Sequence, residues 1–169
     1  MRLRRAFGAL LLVIMALALQ TTLFARLRPF DAAPALVVLT VIAVARHLPA
    51  EQALVVGFLG GLGQDLLVES PLGLWALVET SVAYAVVRGR GRLEDDITLL
   101  APGVFVVTVG ALALFAVLGT IFGEKTLADS GIVKKMVLPS LYNLLAAPAV
   151  IPLVTRALGG GRRRVPFDL

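Results

Sequence analysis

Cysteine is absent from this 169-residue chain, which removes disulfides and thiolate metal sites and leaves the redox compartment unread. The single histidine, His47, is too little for a histidine-built metal cluster. Charge is scarce too. Only 16% of residues are Asp, Glu, Lys or Arg, against about 25% in an average soluble domain. Missing as well are the short patterns that carry known chemistries: no Walker loop, no nucleophile elbow, no paired metal-binding histidines, no dinucleotide fingerprint. Catalysis is therefore not expected, and no cofactor or metal is implied.

What the chain has in abundance is apolar surface, at 59% hydrophobic residues and a mean hydropathy of +0.93. So few charges cannot cover a water-facing surface, and lipid is the expected solvent. The net charge of +5 and the sequence pI near 10.4 raise the question of nucleic acid. The basic residues, however, flank apolar runs, where they set membrane orientation rather than bind phosphate. Nucleic-acid binding is not expected.

A helix needs roughly 20 apolar residues to cross about 30 Å of hydrocarbon. Runs of this kind are expected at residues 6–24, 51–68, 72–87, 97–122 and 133–155, with a shorter one at residues 33–46. The first follows Arg2, Arg4 and Arg5, as a signal peptide would. It is longer than the usual signal core and lacks a small-x-small cleavage site, so a retained helix is expected. Six spans put both ends on one side, together with Arg2, Arg4, Arg5, Arg46, Arg88, Arg90, Arg92, Arg156, Arg162, Arg163 and Arg164, eleven in all. Arg26, Arg28, Lys125, Lys134 and Lys135, five residues, fall on the other. Positive charge favours the cytoplasm, so both termini are expected there. Residues 88–96 then form the main cytoplasmic loop, a solvated hinge between two halves. The connections are too short to fold alone. The expected fold class is an all-α polytopic membrane protein, a compact bundle of about six transmembrane helices in one integral membrane domain over residues 1–169.

The segment GFLGGLGQDLL, residues 57–67, combines glycines with an acid. Residues four apart share a helix face, so Gly57, Gly61 and Asp65 form one stripe, with Gly60 and Gln64 beside it. Glycine lets another helix backbone approach closely in lipid. The stripe is thus a candidate partner-binding groove, and the sequence leaves open whether the neighbour belongs to this chain or another protein. Asp65 has two readings. It caps the next turn or reaches headgroup water, or it pairs inside the bundle with Tyr84, Asn143 or a group on a partner. Glu69 is expected to be solvated in the outer loop. Glu79 reads as a buried carboxyl satisfied by Thr80 or a neighbouring helix. Tyr142 and Asn143 are polar contacts that either glue helices together or line a pocket. Pro139, Pro148 and Pro152 interrupt the last span, and Trp75 is expected as an interfacial anchor.

These pieces together resemble the MreD family of rod shape-determining proteins. They are LQTTLF at residues 19–24, LVVLTVIAVAR after Pro34, GFLGGLGQDLL with SPLGLWAL, and LYNLLAAPAVIPL. The resemblance implies a non-enzymatic membrane component of the machinery that builds the lateral cell wall. It implies association with MreC, and through it with the glycosyltransferase RodA, its partner transpeptidase and MreB filaments. It also implies a compact six-helix fold like that of the substrate-binding S-components of vitamin transporters. The family offers no agreed catalytic residues to carry over. The basic tail GGGRRRVPFDL departs from the family pattern and is expected to act as a membrane-surface anchor. A second function stays open, a small-solute binding subunit of a transporter, which needs a cavity of roughly 300–1,000 Å³ with convergent polar groups.

Overall fold

A computed structural model describes residues 2–26, 32–68, 70–93 and 97–159. Six α-helices follow one another: α1 (Arg2–Arg26), α2 (Leu36–Ala45), α3 (Ala50–Leu67), α4 (Leu74–Leu93), α5 (Ile97–Ile121) and α6 (Ile132–Ala157). Among the described residues there is no strand. Glu69 and the basic tail from residue 160 onward, both named above, lie outside the described residues.

The shortest helix holds the centre. α2 has ten residues, LVVLTVIAVA, and nine of them, Val37 to Ala45, are buried. It packs against each of the other five helices. A helix apolar on all sides belongs inside a bundle, and at about 1.5 Å per residue it is only about 15 Å long. That is half a bilayer core, so within the expected run at residues 33–46 the helix itself is a core element that faces its neighbours rather than lipid.

Three helices carry segments long and apolar enough to cross a membrane: Arg4–Phe24 in α1, Leu100–Ile121 in α5 and Ile132–Ala157 in α6. α1 shows how such a helix divides its surface. Ala9, Val13, Ala16 and Leu17 point inward, while Phe7, Leu11, Ile14, Met15 and Leu19 are exposed. In water that outer face would be a liability; in lipid it faces its own kind. α5 continues through Pro102, and α6 through Pro139, Pro148 and Pro152. Proline in a membrane helix is tolerated because neighbouring groups restore the lost bonding.

α4 extends further than the sequence suggests. Residues 88–93, expected in a solvated hinge, form its last turns. Arg90 explains part of this, because its guanidinium donates to the backbone carbonyls of Ala45 and Leu48. A cation on the free carbonyls at a helix C-terminus is favourable. Arg90 thereby ties the end of α4 to the end of α2.

Candidate functional site

The corner between α3 and α4 answers the question of the acid among glycines. Asp65, in the last turn of α3, is 3% exposed. Its Oδ1 accepts the Ser70 hydroxyl at 3.2 Å and the Trp75 N–H at 2.9 Å. Its Oδ2 accepts the Gly73 N–H at 2.9 Å and the Ala76 N–H at 3.1 Å. Gly73, Trp75 and Ala76 supply three of the backbone donors that the start of α4 would otherwise leave open. A carboxylate there also meets the positive end of the helix dipole. Asp65 therefore caps the following helix across the turn. The alternative pairing with Tyr84 or Asn143 is not what it makes. Gly73 sits at φ +93°, a conformation that residues with a Cβ rarely adopt, and this aims its N–H at the acid.

The glycine stripe faces α4 of the same chain. A Cβ placed on Gly57 would lie 2.8 Å from the Glu79 carbonyl oxygen, and one on Gly61 would lie 2.6 Å from the Ala76 Cα. Gly60 turns to α1, where a Cβ would meet Val13 Cγ1 at 2.5 Å. All three glycines are buried, as is Gln64, whose Oε1 has no hydrogen-bond partner. Of the two neighbours the sequence leaves open, the one these residues touch is internal. Glycine closeness and the Asp65 clasp together make α3 and α4 one rigid hairpin.

Trp75 also departs from its expected place. It is 8% exposed and stacked on Phe115 of α5, with ring centroids 4.4 Å apart, so it is a core aromatic and not an interfacial anchor. One turn on, Glu79 is fully buried, and neither carboxyl oxygen has a hydrogen-bond partner. Thr80, expected to satisfy it, instead donates to the Ala76 carbonyl. Trp75, Val78, Glu79, Val82, Ala83 and Val86 are all buried, so Glu79 stands mid-way along the inward face of α4.

A second group of polar contacts surrounds α2. Asn143, on α6 and 0% exposed, donates through Nδ2 to the Ala35 carbonyl at 2.9 Å and to Thr108 Oγ1 of α5 at 3.3 Å. Gln20 of α1 accepts the Val37 N–H at 3.1 Å through Oε1, supplying the cap that Ala35 lacks. His47 Nε2 and Thr155 Oγ1 lie 2.9 Å apart, joining the α2–α3 turn to α6. Tyr142 is half-buried beside Asn143, whereas Tyr84 is 53% exposed on the outer face of α4. Sequence reasoning missed Gln20, Ser70, Gly73, Arg90 and Thr108. Only the Ser70, Pro71 and Gly73 turn carried a readable signal, that of a helix about to start.

Among the described residues, no three of His, Cys, Asp and Glu gather where they could hold a metal ion. The arrangement does mechanical work. Apart from the Thr80 hydroxyl, which stays within α4, the polar contacts described link one helix to another or to the turn beside it.

No curated protein and no solved structure matches the chain. One family model does, that of the rod shape-determining protein MreD, over residues 2–157. The match runs from the start of α1 to the end of α6 and takes in the Asp65 corner and Asn143, and the chain belongs to the MreD family.

Proposed function

We propose that this membrane protein serves rod shape determination as a non-enzymatic scaffold. In this reading it binds MreC, and through MreC it connects to RodA, the partner transpeptidase and MreB. The chain is one integral membrane domain crossing the bilayer several times, with both termini in the cytoplasm. The supporting observation is that four of its buried or half-buried polar side chains join its own helices. Asp65 caps α4, Asn143 bridges Ala35 and Thr108, Gln20 caps α2, and Arg90 holds the end of α2. A solute-binding subunit would turn such groups toward a cavity. With Gly57, Gly60 and Gly61 packed internally, partners meet the outward faces of the bundle, and the stripe serves them by fixing the hairpin.

Co-purification from detergent-solubilised membranes tests the reading. Wild-type protein should retain MreC and bind no vitamin or other small solute saturably. Stoichiometric capture of one such compound, lost on Asn143→Leu, would overturn it in favour of the transporter subunit.

A further inference from the structure

The outer side of the α3–α4 hairpin carries a groove. Its upper part, about 560 Å³, is lined by Leu54, Phe58, Gly73, Leu77, Thr80, Ser81 and Tyr84. Its lower part, about 390 Å³, shares Leu54 and Tyr84 and adds Ala50, Val87 and Arg88. The two run together along one seam. The Arg88 guanidinium carbon lies 5.9 Å from the centroid of the Tyr84 ring, within reach of a cation–π contact. One end of an otherwise apolar furrow is thus marked by an exposed cation held in place.

We propose that this groove holds an anionic phospholipid, with its headgroup phosphate at Arg88 and one acyl chain along Tyr84, Thr80, Leu77 and Phe58. The dimensions agree. From Arg88 to Leu77 is eleven residues of helix, about 16 Å at 1.5 Å per residue, and one leaflet of hydrocarbon is about 15 Å. Charge agrees too. The end of α4 that carries Arg88 and Arg90 meets the turn at residues 45–48, which holds Arg46, and His47 of that turn meets Thr155 beside Arg156. A cluster of basic residues favours a negative headgroup. Two of the groove's hydroxyls are already engaged, since Thr80 donates to the Ala76 carbonyl and Ser81 to the Leu77 carbonyl. A protein helix is the other conceivable occupant. Helix association in lipid draws on small residues, and α3 has turned Gly57, Gly60 and Gly61 inward. Ala50, Gly73, Thr80 and Ser81 do line the groove, but its larger walls are Leu54, Phe58, Leu77, Tyr84 and Val87, with a cation at one end. That suits an acyl chain and an anionic headgroup. The inference rests on the membrane location alone and stands or falls separately from the scaffold reading.

Native mass spectrometry of the full chain in mild detergent tests it, with equimolar phosphatidylglycerol and phosphatidylethanolamine as probes. Wild type should retain phosphatidylglycerol about fivefold over phosphatidylethanolamine, matching the ~1 kcal/mol of one basic residue at an anionic surface. Arg88→Gln should bring the ratio to about one and Arg88→Lys should restore most of it. Leu77→Trp, which fills the furrow from an exposed position, should reduce retention of both lipids. Arg156→Gln, at the same end on α6, should leave the preference unchanged, and thermal unfolding of each variant checks that it is folded. Equal retention by wild type, or a preference that survives Arg88→Gln, overturns the proposal. So does a groove that stays lipid-free while capturing a single-span partner protein.

Discussion

Asp65 and Trp75 are joined by a hydrogen bond of 2.9 Å from the Trp75 N–H to the Asp65 carboxylate, across the turn that reverses the chain. One acid thus closes a helix of which it is not a member. Hydrogen bonds to a charged group are worth about 1.5–3 kcal/mol, and loss of a capping side chain costs about 0.5–2. Asp65→Ala should therefore lower stability by roughly 2–4 kcal/mol, and Asp65→Asn by about half as much, because the amide keeps one acceptor. Thermal unfolding in detergent measures both. A change below about 0.5 kcal/mol for the alanine variant would show that the clasp does not stabilise the fold.

Gly61 tolerates even less than a leucine. Its added Cβ would fall on the Trp75 carbonyl and the Ala76 Cα, which are backbone and cannot swing aside. Gly61→Ala should cost about 1–3 kcal/mol, the usual range for overpacking, and Gly57→Leu with Gly61→Leu should cost more. A Cβ on Gly110 of α5 meets nothing within 4 Å, so Gly110→Ala should be neutral or slightly stabilising. Because the stripe packs on α4, MreC capture should fall only in proportion to the loss of folded protein. Full abundance with a selective loss of capture would instead make the stripe a partner surface.

Glu79 should give the opposite sign. Two buried acceptor oxygens without a donor cost about 1–3 kcal/mol relative to a satisfied or apolar group. Glu79→Leu, similar in volume, is expected to raise the unfolding temperature. A lowered temperature would mean that a donor from outside the chain meets this carboxyl in the membrane.

The loop before α6 carries a pH dependence. Asp129 accepts from the Lys135 ammonium and from the Gly131 N–H. The hydrogen bond from Lys135 holds its carboxyl below the ordinary aspartate range, helped by the Gly131 N–H. A depressed carboxyl contributes its ordering above the unfolded value and loses it as pH falls through the folded one. Protection of the Gly131 and Ile132 amides should therefore be constant above about pH 4 and decline only below it. Asp129→Asn should remove that decline, as hydrogen exchange between pH 5 and 2.5 would show.

The proposed orientation rests on the eleven-to-five distribution of basic residues. Since the chain has no cysteine, single cysteines report cleanly. Gly91→Cys and Gly160→Cys should be shielded from an impermeant thiol reagent in intact cells, and Ser130→Cys should label. The reverse pattern would invert the topology.

What could be read from the residues tracks how far each feature depends on neighbours in the chain. α1, α5 and α6 declare themselves through long apolar runs, and their observed bounds lie within a few residues of expectation, apart from the start of α1. The stripe of Gly57, Gly61 and Asp65 was visible as spacing, but its neighbour was not, because periodicity describes one helix and not what packs on it. Trp75 was misplaced by the habit of aromatics near a membrane boundary. Its ring faces inward because it shares the buried face of α4 with Glu79. The run of charges around Arg90 points to a loop, yet the Ala45 and Leu48 carbonyls it meets lie more than forty residues away. Contacts of that separation leave no local trace.

The enclosure of α2 bears on how the protein is made. Its ten residues are synthesised before α3, α4, α5 and α6, four of the five helices that come to cover it. As a helix of ten residues it is too short to bridge the bilayer by itself, so its place should be decided late, by tertiary closure, after the longer helices are threaded. A cysteine at Thr40 should stay reactive in nascent chains in which α2 has cleared the ribosome but α5 and α6 have not, and become protected once α6 has emerged. Assembly would then resemble the closing of a fist around a finger, with the final helix completing the grip through Asn143.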